Sequence, residues 1–167
     1  MPQAVRVSEE PRGNPLDVLE TIVGAKNWTF DRRGDEELAA EVPGGWCDYS
    51  LFFAWSPEIS ALQFSCALDM RVPKTKLSPV YELLALINDN MWVGHFGLWP
   101  DGGVPMFRHS VLLRGAGGGS VESLEDMVDL ALTDCERFYP SFQFVIWGGK
   151  PAKEALTAAL LECAGEA

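Results

Sequence analysis

The residues able to do chemistry fall into four groups, and none is a complete site on spacing alone. Gly115-Ala116-Gly117-Gly118-Gly119-Ser120 follows a strand pattern and precedes a helix pattern. That is where backbone N–H groups cradle a phosphate. The run lacks the Lys-Ser/Thr pair of a nucleotide loop, and Ser120 stands where a dinucleotide fingerprint has its third glycine. No parallel strand pattern follows, so the run reads as a connector ending in a helix N-cap. The chain has two histidines, His95 and His109, on the two arms of a hairpin pattern. A three-residue loop would set them opposite each other, as a shared metal requires. A two-residue Asp101-Gly102 turn puts His95 opposite Arg108 instead. This second register gathers Phe96, Leu98, Phe107, Val111 and Leu113 on one face and His95, Trp99, Met106, Arg108 and Ser110 on the other. It is preferred, because a one-residue slip would scramble that core.

The third group is Glu122, Glu125, Asp126 and Asp129, which share one helix face at i, i+3, i+4 and i+7. Such carboxylates can take a divalent ion. They lie opposite the Leu124, Val128 and Ala131 stripe, so a solvated face is the simpler reading. The last group is four cysteines, Cys47, Cys66, Cys135 and Cys163, with no C-x-x-C pair. Cys66 falls on the apolar side of an alternating run and Cys163 on an apolar helical stripe, so both read as small buried hydrophobes in a reduced, cytoplasmic protein. No G-x-S-x-G elbow occurs, and no cysteine context would depress a pKa. No catalytic residue, metal ligand or cofactor is assigned, and a non-enzymatic protein is expected.

The totals narrow the partners. The net charge of −11 opposes a phosphate backbone and an anionic membrane surface, and the densest basic stretch, Arg71–Lys76, holds three cations. No nucleic acid and no membrane is expected. Met1–Glu10 has no apolar core of a signal peptide, and the longest aliphatic run, Leu83–Ile87, is far short of a membrane span. Six tryptophans and nine phenylalanines exceed what one small core easily hides, which points to a partner surface.

The elements that must position these residues can be read along the chain. Residues Met1–Gly13 look like a mobile tail, and 14–167 like a single domain. Asn14-Pro15 caps and starts a helix carrying Leu16, Leu19, Ile22 and Val23. Trp28–Arg33, Glu37–Val42, Cys47–Trp55 and Leu62–Met70 read as strands, the last two with clean alternation. Ser78 and Pro79 open a helix over Val80–Val93. One of its stripes is Val80, Leu83, Leu84, Ile87 and Met91, and a second is Tyr81, Ala85 and Trp92. A helix so broadly apolar has two faces to bury, one of them against another helix or subunit. The hairpin Gly94–Trp99 and Val104–Leu113 follows, then a helix Val121–Tyr139 and a separate aromatic turn, Phe142–Trp147, begun at Pro140. A helix Ala152–Cys163 closes the chain. The fold class is α+β, in the order α-β-β-β-(β)-α-β-β-α-α, with helices on one face of an antiparallel sheet.

Several blocks together carry a resemblance. They are Asn14–Glu20, Trp46-Cys47-Asp48-Tyr49, Leu62–Cys66, Tyr81–Asn88, Pro105–His109, Cys135–Pro140 and Trp147-Gly148-Gly149. From Asn14 onward the chain resembles the bacterial YbjN family, labelled sensory transduction regulators. The resemblance implies a strongly curved antiparallel sheet flanked by helices, similar to type III secretion chaperones and often dimeric. It implies no catalytic residues. The expected role is a chaperone-like or regulatory protein-interaction module, acting as a homodimer with Tyr81, Ala85 and Trp92 as the partner surface. The alternative is a small-molecule sensor or enzyme with a pocket of His95, Trp99, Arg108 and aromatics of Phe142–Trp147. A weaker alternative is divalent-ion binding by the 122–129 carboxylates.

Overall fold

A computed structural model describes residues 13–115 and 119–165. The expected N-terminal tail, apart from Gly13, and the middle of the glycine run lie outside those residues. The chain opens with α1 (Pro15–Ala25), held at its start as the sequence indicates. Asn14 Oδ1 accepts from the Leu16 N–H at 2.9 Å, and Pro15 occupies the first helical turn, where its missing N–H leaves no bond unmade. Asn27 then turns the chain with φ 57°, into a four-strand meander of β1 (Thr29–Arg33), β2 (Glu37–Pro43), β3 (Asp48–Ser56) and β4 (Ala61–Ala67). After α2 (Leu77–Asn88), the hairpin β5 (His95–Leu98) and β6 (Pro105–Leu112) returns to the sheet. The chain ends in α3 (Val121–Ile146) and α4 (Ala152–Gly165).

The six strands run in the order β1-β2-β3-β4-β6-β5, every neighbouring pair antiparallel. Alternation sets the faces. Ala40, Leu51, Cys66, Phe107 and Phe96 form one row of the covered face, and Leu38, Phe53, Phe64 and His109 the next. The helices lie over this face. Phe53 and Phe64 stack at 4.7 Å, and Phe96 meets Phe107, Phe138 and Phe142 edge-on or tilted at 5.8 to 6.0 Å, which joins the hairpin to α3. The chain is α+β, as its pattern indicates, with the fourth strand present.

Three local readings are corrected. Helix α2 starts at Leu77 rather than after Ser78, because a 3-10 turn at Lys74–Lys76 feeds straight into it, and it ends at Asn88 rather than Val93. The Asn88 side chain stops it by pairing with Phe96 in both directions, Oδ1 accepting at 2.7 Å and Nδ2 donating at 3.0 Å. Pro140 does not end a helix: α3 runs through it, so Phe142–Trp147 is not a separate turn. Pro140 leaves the Glu136 carbonyl without an intrahelical donor, a cost of about 3 kcal/mol. Burial of Phe138, Tyr139, Phe142, Val145 and Ile146 on that helix offsets it. Cys163 is exposed rather than buried. Ala152, Ala155 and Ala159 of α4 pack inward, but its last turn, with Leu161 and Glu162, lies in solvent.

Candidate functional site

With all four helices on one side, the other face of the sheet is open. Asp31, Ala39, Phe52, Ser65, Arg108 and His95 form a row on it that crosses all six strands. The neighbouring positions Ser50, Ala54, Gln63, Ala67 and Met106 are mostly small. Short side chains leave the face concave, as a trough of about 1080 Å³. Phe52 rises from its floor, 47% exposed although it is a large apolar residue in a central strand.

The rim is built by backbone pairing. Leu68 N–H donates to the Pro105 carbonyl and Val72 N–H to that of Gly103, each at 2.9 Å, so the chain leaving β4 runs alongside the hairpin loop. That loop is closed by Trp99 and Val104, with Trp99 N–H donating to Val104 O at 2.9 Å. Gly103 has φ +61° and faces Val72 O, where a Cβ would come within 3.0 Å, so glycine is required. This frame sets Trp99 and Arg71 at one end of the trough. Glu41, Asp48 and Asp69 also line it, as does Arg108. Neither Arg71 nor Arg108 has a carboxylate within ion-pair distance among the described residues.

The candidate residues of the hairpin are therefore partly brought together. Trp99 and Arg108 line the trough. His95 stands opposite Arg108 in the preferred register but is exposed outside the lining. Phe142, buried within the continuous α3, and Trp147, exposed just past its end, do not join them. Phe52 supplies the aromatic side chain instead. His109 points to the covered face, at a second crevice of about 590 Å³ with Val93, Leu124, Met127 and Leu130. Burial holds its imidazole below the ordinary histidine value, and nearby His95 adds to the shift. The two histidines thus lie on opposite faces.

Among the described residues no group of three or more His, Cys, Asp or Glu side chains could hold a metal ion. Of the helical carboxylates, Glu125 and Asp129 face the Lys26 ammonium at 4.0 and 3.7 Å. A cation of the chain itself already sits there.

The second surface is on α2. Val80, Leu83, Leu84 and Ile87 are buried, while Tyr81 is 56% exposed and Ala85 is exposed beside it. Trp92 lies in the turn beyond the shortened helix and is fully exposed, at 101%. No helix is long and apolar enough to cross a membrane among the described residues.

Residues 15–144 match the family model described as "YbjN: Putative bacterial sensory transduction regulator". The fold is similar to a solved structure described as "Crystal structure of YbjN, a putative transcription regulator from E. coli". That likeness has 15% sequence identity and a TM-score of 0.50, over 71% of this chain and 84% of that one. At such identity it concerns the fold. No curated protein matches the sequence.

Proposed function

Because the chain belongs to the YbjN family, we propose that it is a non-enzymatic regulatory module that works by protein–protein contact, self-associating through Tyr81, Ala85 and Trp92. The observation that carries this reading is the solvent-facing aromatic pair on and beyond α2. Tryptophan and tyrosine dominate binding hot spots, and a tryptophan with no cover at all is uncommon in a monomer. The description of the family as a regulator agrees with such a role. The four cysteines are all free thiols, which supports a cytoplasmic setting.

Light scattering on the eluting protein tests this reading. At micromolar concentration the wild type is expected at twice the 18.4 kDa chain mass. Trp92→Ser combined with Tyr81→Ser should return it to the monomer mass with an unchanged circular dichroism spectrum. A wild type that stays monomeric at tens of micromolar rejects self-association through this surface.

A second reading rests on Arg108, which has no carboxylate partner among the described residues and lines the same trough as Phe52 and Trp99. A trough holding a guanidinium and two aromatic side chains suits a small molecule with a carboxylate and a flat apolar body. A thermal-shift series of aromatic carboxylates checks this. Stabilisation of the wild type that vanishes in Arg108→Gln supports it, and no shift with any of them rejects it.

A further inference from the structure

We propose that Cys66 and Cys135 form a reversible oxidation site whose disulfide pins the sheet to α3. Cys66 sits in the middle of β4 on the covered face, and Cys135 faces it from α3. Both are fully buried, and their sulfurs lie 3.6 Å apart although 69 residues separate them in the chain. A disulfide bond is about 2.05 Å long, so the two sulfurs need to close by only about 1.5 Å. Rotations about two side-chain bonds supply movement of that size.

The surroundings of the pair are unusual for a plain apolar core. The Tyr49 hydroxyl is buried, and its side-chain neighbour is the Cys47 thiol, at less than good hydrogen-bond geometry. Its neighbours in charge are Glu136 and the thiols of Cys47, Cys135 and Cys66. A hydroxyl among buried thiols gives a small polar oxidant a group to hydrogen-bond. Cys47, in the segment leading to β3, is the half-buried thiol of this group.

The oxidant is a peroxide, the class small enough to reach a closed core. The 3.6 Å contact puts either sulfur within reach of a sulfenic acid on the other, and with Cys66 attacking first the steps are these. The Cys66 electron pair forms a bond to one peroxide oxygen, the O–O bond breaks, and the departing hydroxide takes a proton to leave as water. Cys66 is then a sulfenic acid. The Cys135 sulfur attacks the Cys66 sulfur, the S–O bond breaks, and a second water leaves with the Cys135 proton. Two thiols lose two protons and two electrons, and one peroxide becomes two waters. Contact with Cys66, and then burial, push the Cys135 thiol well above its ordinary value, so the closed site reacts slowly and resists bulky alkylating agents.

The test uses the reduced, full-length chain in native buffer with hydrogen peroxide. The peroxide is removed, free thiols are alkylated in denaturant, and the digest is mapped without reduction. The expected result is a peptide linking Cys66 to Cys135 and lost on treatment with dithiothreitol. The oxidised protein should melt higher by roughly 5 °C or more, because the bridge closes a long loop. A Cys47→Ser, Cys163→Ser double variant should keep the bridge. Recovery of Cys66 and Cys135 both alkylated overturns the proposal, as does a bridge that joins either to Cys47 or Cys163, or one that forms only in denaturant.

Discussion

Two histidines on the arms of one hairpin, His95 and His109, invite a metal reading, and the sheet removes it by parity. His95 shares its face with Arg108, whereas His109 lies in the row of Leu38, Phe53 and Phe64 on the other side. Burial there gives His109 a testable signature. Its folded-state pKa is lowered, so the folded chain binds its proton less readily than the unfolded chain, whose value is about 6.5. The stability tied to it is complete above that value and declines as pH falls through the folded value. Melting curves between about pH 7.5 and about pH 5 should therefore show a steeper loss for the wild type than for His109→Gln. Equal slopes would mean that the imidazole is not buried as described. Asn14 offers a simpler case. Replacing it by alanine removes the acceptor of the Leu16 N–H. It also removes the donor that reaches the Asp35 carbonyl at 2.8 Å. Chemical denaturation should show a loss of about 1 to 2 kcal/mol.

At the level of elements, most of what alternation can encode was readable. The register of β5 on β6 followed from keeping Phe96, Phe107 and Val111 on one face, and His95 does pair with Arg108. The capped start of α1 followed from Asn14-Pro15. The ends of α2 and the course of α3 were not readable, because they depend on partners far along the chain. Asn88 stops α2 by holding Phe96, and Pro140 is carried through α3 by side chains packed on the sheet. The trough was hidden for the same reason. Ala39, Phe52, Ser65 and Arg108 come from four strands, and only pairing sets them in one row. The contact of Cys66 with Cys135 has no local signal at all. The Asn88 clasp yields a prediction at this scale. Asn88→Ala removes two bonds to an edge strand and should cost about 1 to 3 kcal/mol. Hydrogen exchange at the Phe96 amide should accelerate far more than at Phe64 in the centre of the sheet. Uniform acceleration would instead indicate that the two bonds hold the whole fold rather than β5.

For the whole molecule, charge decides how two copies can meet. Each chain carries −11, so the approach of a second copy is opposed at long range whatever the contact surface offers. The proposed surface itself is apolar at Tyr81, Ala85 and Trp92, with Glu82 beside them on α2. Contact there would combine short-range burial of aromatic area with long-range repulsion, and the two respond differently to salt. Screening shortens the range of the repulsion from about 30 Å at 0.01 M to about 10 Å at 0.1 M. It leaves the burial of aromatic area nearly unchanged. Sedimentation equilibrium should therefore show self-association strengthening by roughly 10-fold or more between these salt concentrations, a difference of about 1.4 kcal/mol. Weakening with salt would point to opposite charges across the contact. The unpaired Arg108 and the acidic rim of Glu41, Asp48 and Asp69 on the open sheet face would then be the pairing surface in place of α2. The sign of the salt dependence thus separates the two candidate surfaces without knowledge of the partner, because only one of them carries both charges.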